Sequence, residues 1–121
     1  MTEHTGVQVR RTYDPPEAEH GQRVLVDRLW PRGLSKEKAH FDEWCKQVAP
    51  SSELRRWYGH DPDLFDEFAR RYRSELSEGD QAEALAHLRE LADKRPLTLL
   101  TSSKRSDISD ATVLAEILNN G

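Results

Sequence analysis

The chain is short of most features that mark a specialised protein. It has one cysteine in 121 residues, which excludes an internal disulfide and a cysteine-rich zinc site. No apolar run approaches the ~18 residues that a membrane-crossing helix needs. Residues 1–6 are polar and hold no secretory apolar segment. Excess positive charge is missing too: 18 Lys and Arg face 22 Asp and Glu, a formal net charge of −4. A broadly basic coat for nucleic acid is therefore excluded. There is no Gly-x-Gly-x-x-Gly motif and no Walker loop. The 5 histidines show no ligand spacing, so neither a metal nor a cofactor is expected.

Apolar residues are scarce as well. The hydrophobic set makes up 36% of the chain and charged residues 33%. Leu, Ile, Val and Phe together number 25, a composition just above that of disordered chains. A domain of this size buries roughly two-thirds of its unfolded surface, so the few apolar residues have to be well phased. They are. The reading is a flexible start at residues 1–6 and a single cytoplasmic α/β domain at 7–121, with no membrane segment.

Residues 7–13 alternate as a strand, and Pro15-Pro16 ends it. Residues 23–26 form a short β-branched run that reads as a buried strand. Residues 27–33 follow as a loop with Pro31 and Gly33. Phe41, Trp44, Cys45 and Val48 share a 3.6-residue stripe, which predicts a helix from Ser35 through Ala49. Ser51 or Ser52 starts a short helix through Trp57, and Gly59 ends it. Asp61-Pro62 opens a helix with the stripe Leu64, Phe65, Phe68, Tyr72 and Leu76. Asp80 and Glu83 resemble a capping box for a fourth helix, carrying Leu85, Leu88, Leu91 and Ala92. Residues 97–101 form the third strand. Ser106 or Asp107 caps a last helix with Ile108, Val113, Leu114, Ile117 and Leu118 inward, its end fraying at Asn119, Asn120 and Gly121.

The expected fold is thus a small, mostly parallel three-stranded sheet flanked by about five helices, three-layered and Rossmann-like. The second and third strands enclose a long stretch and should be parallel. The first and second are only nine or ten residues apart, which on spacing alone suggests a hairpin.

Ligands of open α/β sheets bind beyond the carboxyl ends of the strands. Asp27, Arg28, Trp30 and Arg32 lie there, as do Ser102, Ser103 and Lys104. Within residues 28–38 Arg28, Arg32, Lys36 and Lys38 face one anion, Glu37. Arginine forks match phosphate or carboxylate oxygens, so a local cationic pocket in an acidic chain is a selective anion site. The competing reading makes the same residues a structural lock: an Asp27–Arg28 pair, and Trp30 as a plug.

A second constellation runs from Arg55 to Asp61. His60 is a candidate acid or base, and Arg55 an anion clamp. Asp61 reads first as an N-cap, since Pro62 follows it. Catalysis, where present, would be of hydrolase or transferase type on a phosphorylated compound, with His60 and Asp27 in acid–base roles. The alternative is a non-catalytic protein- or nucleic-acid-interaction module built on residues 55–58, with nucleic acid the weaker partner. Cys45 reads as a small buried hydrophobe.

The strings RVLVDRLWPRG (23–33), APSSELR (49–55), WYGHDP (57–62) and FARRY (68–72) resemble the YeaO-like family, domain-of-unknown-function family 488, over nearly the whole chain. The resemblance implies a three-layer α/β domain and a parallel first strand, because longer relatives place a helix where residues 14–22 lie. It carries no established activity. Its signature residues map to Asp27, Arg28, Trp30, Arg32, Arg55, Trp57, His60 and Asp61. The chain departs from the pattern near its end. Relatives carry an aromatic–small–small opening after the third strand, then His-Asn or Cys-His before the last helix. Here those places hold Thr101-Ser102-Ser103 and Ile108-Ser109-Asp110. The departure implies either binding without catalysis or reliance on Ser102 or Ser103.

Overall fold

The computed structural model describes residues 6–14, 21–35, 37 and 40–120. Of the expected flexible start, only Gly6 falls among them. Four parallel strands form one sheet: β1 (Gln8–Arg11), β2 (Gln22–Leu25), β3 (Glu43–Trp44) and β4 (Leu97–Thr101), in the spatial order β1-β4-β2-β3. Four α-helices are seen among the described residues: α1 (Ser52–Tyr58), α2 (Phe65–Glu75), α3 (Gly79–Lys94) and α4 (Asp110–Asn120).

The most apolar strand takes the middle. Every residue of β4 is buried, and β2 is buried throughout. Val24 and Leu25 in β2 pair with Leu99 and Leu100 in β4. Successive strand residues face opposite sides. Val24, Leu97 and Leu99 join the main core cluster with Phe68, Tyr72, Leu88 and Leu114, while Leu25 and Leu100, turned the other way, are also fully buried. Both faces of the central strands are therefore covered, as parallel sheets require.

β1 and β2 lie on either side of β4 and are both parallel to it, so the chain between them is a crossover and not the hairpin that spacing alone suggests. A strand as apolar as β4 gains most from the position with two neighbours, and this keeps β1 and β2 apart. Pro15 and Pro16, expected to end the first strand, lie outside the described residues. Gly21 shows how closely the crossover approaches: at φ +62° it passes Pro96, where a Cβ would sit 2.3 Å from the carbonyl oxygen.

The helix expected at 35–49 is corrected. His40 has a positive φ of 52°, Glu43–Trp44 is the fourth strand, and Lys46–Val48 is a single 3-10 turn. Pairing with β2 overrides the helical stripe. Asp42 N–H donates to Arg23 O at 2.8 Å and Arg23 N–H donates to Asp42 Oδ2 at 2.8 Å. The apolar residues of the stripe are still used: Cys45 and Val48 enter the core, and Phe41 and Trp44 pack on Trp30.

Three boundaries also shift. Pro62–Leu64 is a 3-10 turn ahead of α2. α3 starts at Gly79, and its N-cap Glu78 makes no side-chain bond, so Asp80 and Glu83 form no capping box. α4 starts at Asp110 and not at the expected caps, because Ser106–Ile108 is a separate 3-10 turn and Asp107 pairs with Arg105. Asn119 does not fray: its Oδ1 accepts from Val7 N–H at 2.6 Å, fastening α4 to the start of β1.

Candidate functional site

The four strands run parallel, so their carboxyl ends lie along one edge of the sheet. Each ladder extends slightly past its strand: Thr12 N–H donates to Thr101 O and Val26 N–H to Leu100 O. Asp27 follows β2 and Ser102 follows β4, and the two meet. Ser102 donates to Asp27 Oδ2 through its backbone N–H at 2.8 Å and its hydroxyl at 2.9 Å. Asp27 O accepts from Trp44 Nε1–H at 2.8 Å. One aspartate thus ties together the ends of three strands.

Trp30 fixes the next part of the loop. Its ring lies 5.3 Å from Phe41 and 5.4 Å from Trp44, and its Nε1–H donates to Leu34 O at 2.5 Å. Rigid aromatic packing on one side leaves Arg28, Leu29 and Arg32 exposed on the other. The Asp27–Arg28 pair of the structural reading does not form: Asp27 is engaged by Ser102, and no hydrogen bond or ion pair among the described residues holds the Arg28 guanidinium.

The facing wall comes from α1. Ser51 caps the helix, its Oγ accepting from Leu54 N–H at 3.1 Å, and it donates in turn to Glu75 at the end of α2. Leu54 and Tyr58 then point inward. The Tyr58 ring stacks on Phe68 at 4.1 Å, and its hydroxyl donates to Ile108 O at 2.7 Å; burial pushes that phenol up to about 12. Arg55 and Arg56 are left exposed on the same helix. Gly59 and His60 both adopt left-handed backbone, at φ 54° and 58°, and turn the chain sharply after α1.

Together these segments enclose a cavity of about 650 Å³, within the size range of small-molecule sites. Exposure sorts its lining. Arg28, Leu29, Arg32, Arg55, Arg56 and His60 are exposed and form the rim. Asp27, Ser102, Ser103 and Asp110 are half-buried, and Thr101 and Ser109 lie deeper. Among the described residues, none of the guanidinium groups of Arg28, Arg32, Arg55 and Arg56 has a hydrogen-bonded partner. Of the sequence-derived candidates, Asp27, Arg28, Trp30, Arg32, Arg55, His60, Ser102 and Ser103 line this cavity; Lys104, Trp57 and Asp61 are exposed outside it.

Sequence reasoning missed Asp110. Burial, and then the negative charge of Asp27, push its carboxyl up to about 8; its own helix N-terminus and Arg55 act in the opposite direction. The available signal was its place in Ile108-Ser109-Asp110, where the chain departs from the family pattern; that departure reads as the loss of a His or Cys and not as the gain of a carboxylate. Ser52, which reads only as a possible helix start, and Ser109, named only in that departure, also line the cavity.

Several candidate roles are narrowed by contacts. Asp61 is an N-cap, its Oδ1 accepting from Asp63 N–H at 3.0 Å. His60 lies 5.9 Å from the Tyr58 ring. Cys45 is buried, and its thiol is pushed up to about 11, far from a thiolate at neutral pH. The patch at residues 55–58 loses Tyr58 to the core, and Arg71 covers the Trp57 ring at 4.2 Å. Among the described residues no group of three or more His, Cys, Asp or Glu side chains is placed to hold a metal ion, and no helix is long and apolar enough to cross a membrane.

Comparison with known proteins now bears on this site. The family description "Inactive DUF488-N3 subclade" matches residues 6–121. The chain belongs to this family. An uncharacterised protein of Mycobacterium tuberculosis is 47% identical over 119 residues, covering 98% of both chains. The uncharacterised Escherichia coli protein YeaO is 41% identical over 114 residues, 94% of this chain and 97% of that one. No solved structure matches. Membership in the family agrees with the resemblance carried by residues 23–33 and 57–62.

Proposed function

We propose that this DUF488-family domain is a cytoplasmic protein that binds a small phosphorylated or nucleotide-like anion in the cavity at the carboxyl edge of its sheet, without transforming it. The observation that carries this reading is the set of four exposed arginines around one cavity, none of whose guanidinium groups is hydrogen-bonded among the described residues; Arg55 alone acts, through space, on Asp110. Arginines that stabilise a fold are normally paired. Arginines left open around a concavity fit an anion that arrives from outside.

Binding without catalysis is supported from two directions. The subclade matched by the chain is described as inactive. The side chains also suit holding better than reaction. Ser102 donates its hydroxyl to Asp27, and Asp61, the natural orienting group for His60, is used as a helix cap. In this reading Asp27 fixes the floor, Arg28, Arg32 and Arg55 hold the anion, and Ser103 and His60 border it.

A thermal-shift screen of phosphate esters and nucleotides tests the proposal, since a ligand that binds only the folded chain raises stability by mass action. The melting temperature should rise with ligand concentration for the wild type and rise less for Arg28→Ala and Arg32→Ala. No response to any phosphorylated compound would overturn the reading.

A further inference from the structure

We propose that the ligand of this cavity is a hydroxylated phosphate ester of the sugar-phosphate class, its phosphate held by the arginine rim and its hydroxyls by Asp27 and Asp110 on the floor. The inference rests on reading the rim as an anion site, and asks what else the ligand must carry.

The cavity has two electrostatic ends. Arg28, Arg32, Arg55 and Arg56 are exposed at its mouth, whereas Asp27 and Asp110 are set deeper. An anion placed against two carboxyl groups meets repulsion or, at best, a single donor. It therefore belongs at the mouth. At about 650 Å³ the cavity far exceeds one phosphate, so the rest of the ligand occupies the deeper part.

The chemistry of the floor selects that remainder. Asp27 spends Oδ2 on Ser102, and its Oδ1 has no hydrogen-bond partner among the described residues. That oxygen accepts hydrogen bonds. Asp110, favoured in its neutral form by burial and by Asp27, both donates and accepts. A hydroxyl group also does both, so it satisfies either carboxyl without changing its charge. Pro50, Tyr58 and Phe68 line the same space and offer apolar surface to the carbon skeleton of a sugar.

Titration calorimetry on the full chain, with four probes of related charge, tests this. The probes are inorganic phosphate, propyl phosphate, ribose 5-phosphate and phosphoethanolamine. Ribose 5-phosphate should bind about tenfold or more tighter than propyl phosphate, because a site with buried polar groups discriminates against a ligand that leaves them unmatched. Asp27→Asn should reduce that ratio to about threefold or less. Asp110→Ala gives the same reading independently, should Asp27→Asn fail to fold.

Equal affinities for ribose 5-phosphate and propyl phosphate would overturn the inference and leave the anion reading standing. Tighter binding of phosphoethanolamine would overturn it in favour of an amine-bearing ligand. An undiminished ratio in both variants would also overturn it. No binding by any of the four would reject the anion reading and this inference together.

Discussion

Arg28 and Asp27 are neighbours in sequence and opposites in role. Arg28 is exposed and unpaired among the described residues, so Arg28→Ala should leave stability within about 0.5 kcal/mol of the wild type in urea denaturation. A loss of about 3–5 kcal/mol would instead show a broken buried pair. Asp27→Ala removes the acceptor of the Ser102 N–H and hydroxyl and should cost about 1–3 kcal/mol. Asp110 gives a pH signature. Its carboxyl is raised from an ordinary 3.8 to about 8, so between those values the folded chain holds a proton that the unfolded chain has lost. Its contribution to stability is complete below the lower value and is lost as pH rises towards the upper one. Asp110→Asn should flatten this part of the pH dependence and stabilise the chain at pH 8 by about 1–2 kcal/mol. Urea midpoints at pH 5 and pH 8 measure both effects; an unchanged slope in the variant would contradict the assignment.

At the scale of elements, the start of β2 and the start of α1 position the two walls of the site. Gly21→Ala would place a Cβ 2.3 Å from Pro96 O at a φ of +62°, and should cost about 2–4 kcal/mol or prevent folding. Ser51→Ala removes the α1 cap and its side-chain bond to Glu75 and should cost about 1–2 kcal/mol in the same assay. The sequence shows β2 and β4 plainly, because strands buried on both faces read as unbroken apolar runs. It shows α2 through the stripe Phe65, Phe68 and Tyr72, and the turn after α1 through Gly59. It hides β3. Phe41, Trp44, Cys45 and Val48 have helical spacing, yet their contacts come from Trp30, β2 and the core and not from one helical face. Periodicity records which residues are buried; it does not record what buries them. Loop length misled on β1 for a similar reason, since it does not reveal that β4 lies between β1 and β2; the parallel setting that the structure shows was implied by the family resemblance alone.

For the whole molecule, a formal charge of −4 coexists with a rim of four arginines whose guanidinium groups have no hydrogen-bonded partner among the described residues. Most of the lining of the candidate cavity was legible because strand ends and arginines can be located without coordinates. Asp110 was not, because its coupling with Asp27 joins residues far apart in sequence. A ligand held by exposed arginines should bind more weakly as salt rises, since exposed charges are screened over about 8–10 Å at 0.10–0.15 M ionic strength. Affinities measured across a salt series should show this decline. The most direct measurement is a crystal structure of the chain grown with saturating ribose 5-phosphate. The account predicts a phosphate among Arg28, Arg32 and Arg55, with the sugar directed towards Asp27 and Asp110. An empty cavity, or a ligand bound elsewhere on the surface, would contradict it.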